Sequence, residues 1–247
     1  MAWKKKRERI LRLSIKAKLG DRIQETGVSI LVFNMIAIID YEAGNLTSVQ
    51  RALAHLGKPS VITGDLSEVM QAERVIFPGV GAAGKAMEGL KKRELDQALL
   101  MSYQQGKPIL GICLGTQIVM DWSEENHTSC LGLIKGKVLR FPENGVDGDG
   151  RKLKVPHMGW NQVRLRRKHS IFDGIPPESE FYFVHAYYPA PENPVSVLGE
   201  TFYGINFGSV LYSRNMIAVQ FHPEKSGRPG LRILSNFCVW NGKEDAE

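Results

Sequence analysis

The segment ILGICLGTQ, residues 109–117, carries a glycine two positions before and two positions after its only cysteine, Cys113. The apolar run that leads to the cysteine predicts a buried parallel strand, and the residues after it have helical character. A nucleophile between two such glycines is typical of a sharp strand-to-helix turn, where small neighbours accommodate a strained backbone. The segment therefore predicts a strand, a reactive cysteine and a helix within an α/β fold.

Short apolar runs alternate with helical stretches from Met35 onward. This alternation predicts right-handed crossovers and a doubly wound, mostly parallel central sheet. A helix is expected from Asn45 to Gly57, and one long helix over about 83–105. We expect a single domain over residues 35–247.

After Cys130 the alternation of apolar runs with helical stretches gives way to short strand-like runs. Strand-like runs separated by Gly, Pro and Asn predict additional antiparallel strands in the C-terminal half, including residues 161–167 and 180–189. The final apolar-faced stretch, residues 228–240, predicts a closing helix.

The formal net charge of +6 is concentrated at one end of the 247-residue chain. Residues 1–34 contain nine of the 32 basic residues and three of the 26 acidic ones, so the remainder is balanced. A nucleic-acid-binding surface needs clustered cations, so the balanced part is not expected to bind nucleic acid. Residues 1–34 are interpreted as a basic N-terminal extension, disordered or translated upstream of a true start at Met35. A basic surface helix and a transit-like segment are the alternatives.

The three cysteines, Cys113, Cys130 and Cys238, are too few and too scattered for a disulfide framework or a zinc ribbon. They favour a reducing, cytoplasmic location. No apolar run approaches the roughly 20 residues of a membrane-spanning helix, so no membrane association is expected. Cys130 and Cys238 have no catalytic context, and we expect core or incidental roles for both.

The glycine-rich segment VIFPGVGAAGKA, residues 75–86, matches two nucleotide-binding patterns incompletely. Gly79, Gly81 and Gly84 have dinucleotide spacing, but they follow the third strand and lack a ribose-binding acid at the end of the next strand. Ala86 stands where a P-loop needs a hydroxyl group for magnesium. These missing parts disfavour phosphate binding. The backbone N–H groups of such a loop can face an oxyanion equally well.

The candidate general base is His222 in AVQFHPEKS. It directly follows an apolar strand, so its ring can project over the carboxyl edge of the sheet. Glu224, two residues later, can orient the imidazole and stabilise its cation. With Cys113, the two residues predict a Cys-His-Glu triad.

At these residues the chain resembles a known family. GICLGTQ with FHPE resembles the class-I glutamine amidotransferases. Within that family, the chain most resembles the glutaminase subunits of imidazole glycerol phosphate synthase. The segments that carry this narrower resemblance are IIDYEAGNL, FPGVGAAG, PHMGWN, YFVHAYY and HPEKS. The resemblance covers about residues 35–240. It implies a flavodoxin-like α/β fold and the hydrolysis of glutamine to glutamate and ammonia through a γ-glutamyl thioester.

The resemblance also implies roles for individual residues. Cys113 is the nucleophile, His222 the base and then the acid, and Glu224 its partner. The oxyanion is expected at backbone N–H groups of Gly79, Val80, Gly81 and Leu114, after a rearrangement of the PGVG strand that keeps resting activity low. Glutamine is expected to contact Gln117, Glu125, Ala186 and Tyr187. A solvated helix-end carboxylate is the alternative for Glu125.

A partner subunit is implied as well. Ammonia is expected to reach a (β/α)8-barrel cyclase that converts the ribulosyl aminoimidazole carboxamide intermediate PRFAR to imidazole glycerol phosphate and AICAR. Asn45, Trp160 and Lys225 match interface positions, although a core role for Trp160 is equally open. No metal or organic cofactor is expected. The alternatives are a glutaminase for another biosynthetic synthase, a non-catalytic regulatory module, and a nucleotide binder built on the glycine loop.

Overall fold

Strands alternate with helices in the first half of the chain, and strands dominate the second half. The computed structural model describes residues 35–42, 44–146 and 150–243. Its strands are β1 (Ile36–Ile39), β2 (Ser60–Thr63), β3 (Arg74–Gly79), β4 (Ile109–Cys113), β5 (Trp122–Ser123), β6 (Thr128–Ser129), β7 (Gly136–Arg140), β8 (His157–Gln162), β9 (Arg164–Leu165), β10 (Glu180–His185), β11 (Tyr187–Pro191), β12 (Val197–Phe202), β13 (Asn206–Ser213) and β14 (Met216–Val219). Its helices are α1 (Leu46–His55), α2 (Leu66–Gln71), α3 (Ala83–Lys92), α4 (Leu95–Gln104), α5 (Leu114–Ile118) and α6 (Gly227–Phe237).

The central sheet of the described chain has the strand order β2-β1-β3-β4-β14-β13-β12-β9. The first five strands in this order run parallel, and β13, β12 and β9 continue the sheet antiparallel. The predicted doubly wound, mostly parallel sheet with antiparallel C-terminal strands is confirmed. A second sheet, β11-β7-β5-β6, and the pair β8–β10 lie in the same compact unit.

Both faces of the parallel sheet are buried. Ile38 of β1 belongs to one core cluster together with Val49 of α1. Its neighbour Ile39 points to the opposite face and packs in the cluster that contains Leu90 of α3. Because helices cover both faces, successive residues of a strand are all apolar. This is the physical origin of the continuous apolar runs that predicted the strands.

The prediction of one long helix over 83–105 is wrong. α3 ends at Lys92 and α4 begins at Leu95. Between them Glu94 adopts a φ of 57°, in the left-handed region, which breaks the ladder of helical hydrogen bonds. The two shorter helices can therefore take different directions, and both pack against the same face of the sheet.

The predicted single strand over 180–189 is also wrong. β10 pairs with β8, whereas β11 pairs with β7 in a different sheet. The chain crosses from one sheet to the other at Ala186. The run expected as a strand over 161–167 is divided as well, because its first residues end β8, which pairs with β10, whereas Arg164 and Leu165 form β9 in the central sheet.

The basic segment 1–34 lies outside the described residues, so the extension and its boundary remain predictions. In the described ranges, no helix combines the length and apolar character needed to cross a membrane.

The close approach of α5 to β3 gives a test of the packing. A methyl group added at Gly115 would overlap the backbone carbonyl oxygen of Phe77, which cannot move freely inside the sheet. We expect Gly115→Ala to lower the free energy of unfolding by about 1–3 kcal/mol, measured by urea denaturation. Gly145→Ala is the control, because its nearest neighbour would lie 3.5 Å away, an ordinary contact. Equal free energies of unfolding for the two variants would contradict this packing.

Candidate active site

Cys113 occupies a strained turn at the carboxyl end of β4. Its φ of 54° is unusual for any residue other than glycine. The two flanking glycines make this turn possible, because a side chain at Gly115 would overlap Phe77 and one at Gly111 would lie 3.1 Å from the Ala218 Cβ. The turn leaves Cys113 at the edge of the sheet where the predicted site residues meet.

Two polar groups face the Cys113 sulfur. The Val184 carbonyl oxygen lies 3.9 Å from Sγ, within reach of a thiol hydrogen. The Gln220 Nε2 lies 3.8 Å from Sγ and can donate to it. Gln220 is itself fully buried. The sulfur is therefore held between an acceptor and a donor that the elbow pattern did not predict.

His222 follows β14, the strand next to β4 in the sheet. Its backbone N–H donates to the Tyr182 carbonyl at 2.9 Å, and its carbonyl accepts from the Ser226 hydroxyl at 2.6 Å. The imidazole is buried, and its Nδ1 lies 2.8 Å from the Glu224 Oε1. Because a carboxylate oxygen accepts, Nδ1 carries a hydrogen and donates. The predicted base and its predicted carboxylate partner thus lie together.

The electrostatics of His222 are set by its two partners. Burial of the imidazole disfavours its charge, but Cys113 and Glu224 outweigh burial and raise the pKa of His222 to about 10. The Glu224 side chain is only 1% exposed and also accepts from the Asn45 Nδ2 at 3.2 Å. In the part of the chain that the structure describes, His222 Nε2 has no hydrogen-bonding partner of regular geometry. This nitrogen is therefore available for proton transfer.

A pocket of about 300 Å³ contains both Cys113 and His222. Most of the predicted oxyanion and substrate residues line it: Val80, Gly81, Leu114, Gln117, Glu125, Ala186 and Tyr187. Gly79 does not line the pocket, but it pairs with Cys113 where β3 and β4 end side by side. A second pocket, of about 360 Å³, is lined by Phe172, Ile175 and other residues away from the triad. Among the described residues, no cysteine or histidine lines this larger pocket, so we assign the chemistry to the first pocket.

Hydrogen bonds limit what Gln117 and Glu125 offer to a ligand. The Gln117 Nε2 donates to the Tyr187 carbonyl at 2.8 Å and to the Gln220 Oε1 at 3.2 Å, which leaves its Oε1 as an acceptor. The Glu125 Oε2 accepts from the Ala83 N–H at 2.7 Å, at the start of α3, which leaves Oε1. Glu125 is half-buried in the pocket wall, so the solvated alternative does not describe it.

The predicted interface residues lie near the Glu224 side of the triad. Trp160 is 54% exposed, so the alternative of a core aromatic is wrong. Its ring lies 6.0 Å from the ring of Tyr182, and the Lys225 Nζ lies 5.9 Å from the same ring. Asn45 contacts Glu224 directly. Docking at this surface would therefore occur close to the catalytic pair.

The sequence did not predict roles for several buried polar residues at this site. The Tyr41 hydroxyl donates to the Pro78 carbonyl at 3.1 Å, and burial together with the charge of Cys113 raises the pKa of Tyr41. His157 and His185 form a buried hydrogen-bonded pair beside the pocket. The sequence signal was a polar residue within an apolar run, as at Gln220 directly after β14. Which of these residues meet depends on strand pairing that spacing alone does not reveal.

The fold and the sulfur–imidazole–carboxylate arrangement define the class of protein. Residues 37–240 match the family model described as glutamine amidotransferase class-I. The structure of PurLQS from Thermotoga maritima has the same fold, with a TM-score of 0.63 and 15% identity over 82% of this chain and 96% of that one.

More similar relatives narrow the family. A protein of Maridesulfovibrio salexigens named imidazole glycerol phosphate synthase subunit HisH is 54% identical over 82% of this chain and 95% of its own length. One of the same name from Nitratidesulfovibrio vulgaris is 53% identical over the same shares. The chain belongs to the class-I glutamine amidotransferases and, within them, to the HisH subunits of imidazole glycerol phosphate synthase.

The pKa of His222 can be tested directly. Because Cys113 and Glu224 both raise it, we expect Glu224→Gln and Cys113→Ala each to lower it below the value of about 10. The measurement is a pH titration of the ¹⁵N-labelled imidazole by NMR. His127→Gln is the control: it removes the signal of a histidine outside the triad and should leave the His222 titration unchanged. An unchanged His222 titration in both variants would show that the two groups do not act on the ring.

Proposed function

We propose that Cys113, His222 and Glu224 carry out glutamine hydrolysis in this chain, which acts as the glutaminase subunit of imidazole glycerol phosphate synthase. The observation that carries the proposal is the convergence of the sulfur and the imidazole–carboxylate pair on one pocket. A polar pocket with a nucleophile, a base and an orienting group is suited to acyl transfer. The match to the class-I glutamine amidotransferase model supports glutamine as the substrate, and the HisH relatives support the synthase.

In the reacting state the Cys113 proton resides on Nε2 of His222, the charged form that the raised pKa of the imidazole favours. The sulfur attacks the carboxamide carbon of glutamine, and the resulting imidazolium protonates the leaving nitrogen as ammonia. A γ-glutamyl thioester remains on Cys113. His222 then removes a proton from water, which attacks the thioester and releases glutamate. Glu224 holds Nδ1 throughout, so that Nε2 stays aimed at the reacting atoms.

The negative oxygen of each tetrahedral intermediate needs backbone donors. We assign this role to the N–H of Leu114, the first residue of α5, which has no partner within the helix, and to the segment Gly79, Val80 and Gly81. The pairing of Gly79 with Cys113 supports this assignment, because it brings the glycine loop next to the sulfur. Gly81 has a φ of 97°, so this part of the loop uses the freedom of glycine.

The polar head of glutamine would bind at the opposite end of the pocket. The acceptor oxygens left on Gln117 and Glu125 suit its α-ammonium group. Ala186 and Tyr187 line the pocket where the chain leaves one sheet for another, so this segment can run along the substrate.

The partner of this subunit is proposed to be a (β/α)8-barrel cyclase that uses the ammonia on PRFAR in the cytoplasm. The exposed group formed by Trp160, Tyr182 and Lys225 supports a docking surface beside the triad. Co-purification with that cyclase, followed by glutamine-dependent turnover of PRFAR, tests this partner against another synthase.

Replacement of the nucleophile tests the catalytic assignment. In the complex with the cyclase and its ligand, we expect Cys113→Ala to lower glutamate release by on the order of 1000-fold or more, because no thioester can form. Turnover of PRFAR with added ammonium salt should persist. Cys130→Ala is the matched control and should keep its glutaminase rate. Equal glutamate release by the unmodified chain and Cys113→Ala would end the enzymatic assignment.

The docking surface has its own test. Trp160→Ala should raise the Kd for the cyclase by at least about tenfold, because exposed aromatic anchors often dominate an interface. Val195→Ala removes another exposed apolar side chain and should leave the Kd unchanged. Isothermal titration calorimetry measures both. If the two variants bind the cyclase equally well, the partner docks elsewhere.

A further inference from the structure

A line of hydrogen bonds through two buried imidazoles ends on the wall of the glutamine pocket. The His185 Nδ1 lies 2.8 Å from the Tyr187 carbonyl oxygen, and its Nε2 lies 3.0 Å from the Nδ1 of His157. The Nε2 of His157 lies 3.3 Å from the Asn161 Nδ2. The same Tyr187 carbonyl accepts from Gln117. Two donors therefore meet on one carbonyl group beside the pocket.

The acceptor at one end determines the direction of every bond in this line. A carbonyl oxygen can only accept, so Nδ1 of His185 carries the hydrogen and its Nε2 is a bare acceptor. Nδ1 of His157 must then donate, and its own Nε2 must accept from Asn161. Asn161 keeps this orientation because the same Nδ2 donates to the Phe202 carbonyl at 2.9 Å. Both imidazoles are thus neutral Nδ1–H tautomers.

The surroundings of the pair favour these neutral rings. His157 stacks on Tyr203 with ring centroids 4.0 Å apart and on Phe183 at 4.8 Å. Phe207 packs 5.3 Å from His185. Burial lowers the pKa of His157 to about 4, and burial with the neighbouring His157 and His222 lowers that of His185 to about 3. A second proton on either ring would set two N–H groups against each other.

We propose that His157 and His185 are positioning residues that fix the Tyr187 carbonyl and thereby hold Gln117 in the orientation that binds glutamine. The Gln117 Nε2 donates its two hydrogens to the Tyr187 carbonyl and the Gln220 Oε1, so the direction of the Gln117 Oε1 depends on where these two acceptors lie. His185 fixes the first of them. The inference rests on the proposed glutaminase function only for the identity of the ligand.

Paired substitutions separate this hydrogen-bonding role from simple packing. An asparagine amide reaches about as far as Nδ1, whereas a glutamine amide reaches about as far as Nε2. His157→Asn and His185→Asn therefore keep the donor on the path to Tyr187, and His157→Gln and His185→Gln lose it. A glutamine side chain is closer to histidine in volume than an asparagine side chain is. If the two histidines act only by packing, the Gln variants should therefore impair glutamine binding less than the Asn variants do.

The kinetic test uses the full chain in complex with its cyclase. We expect the two Gln variants to raise the KM for glutamine by at least about tenfold, with a smaller change in kcat, and the two Asn variants to stay within about threefold. Gln variants that are equal to or milder than the Asn variants would overturn the proposal. The Kd for glutamine, measured for the same four substitutions in a Cys113→Ala background, ranks the Gln variants against the Asn variants without turnover.

The tautomers can be read without any variant. In the ¹⁵N spectrum of the unmodified chain at neutral pH, both rings should show a protonated Nδ1 and a bare Nε2. An Nε2–H tautomer or a charged ring at either position would overturn the proposal, even if the chain hydrolyses glutamine. Conversely, correct tautomers with no glutamate release, in the presence of the cyclase and its ligand, would refute the proposed function and leave the hydrogen-bonded line intact.

Discussion

The backbone of Cys113 is the constraint on which the rest of the site depends. A residue other than glycine held at positive φ costs on the order of 1–3 kcal/mol and persists only where its surroundings over-determine it. Here β3 and β14 fix β4 from both sides, and the absence of side chains at Gly111 and Gly115 leaves room for the turn. The strain therefore has a function, because it places the sulfur at the sheet edge where β14 delivers His222.

Two buried histidine environments lie within one pocket wall, and they are tuned in opposite directions. His222 is buried, but it lies between Cys113 and Glu224, so its charged form is favoured. His185 is equally buried, and burial together with the neighbouring His157 and His222 outweighs its hydrogen bond to the Tyr187 carbonyl, so its pKa is lowered and its neutral form is favoured. Burial alone acts in the same direction on both rings. The nature of the hydrogen-bonding partners decides which imidazole can carry a proton and which can only hold a fixed direction.

The sequence predicted the parallel sheet because its strands are buried on both faces, and it predicted the triad because each member stands in a local pattern. Its errors fall where local pattern loses to tertiary structure. The break at Glu94 leaves no glycine or proline signal, and the run 180–189 looks continuous although pairing partners divide it at Ala186. The imidazole pair arises only from the register of β8 against β10, which sets His157 opposite His185. No spacing within either strand contains that information.

Strand β8 connects the two regions that matter most for function. Its two-residue alternation turns Met158 and Trp160 toward solvent, where a partner can dock, and buries His157 on the other face against His185. The outer face of β8 thus carries the exposed Trp160, and its inner face carries the His157 imidazole. The hydrogen-bonded line continues from that imidazole through His185 to the Tyr187 carbonyl, which also accepts from Gln117. One strand therefore joins the proposed docking surface to the wall of the proposed glutamine pocket.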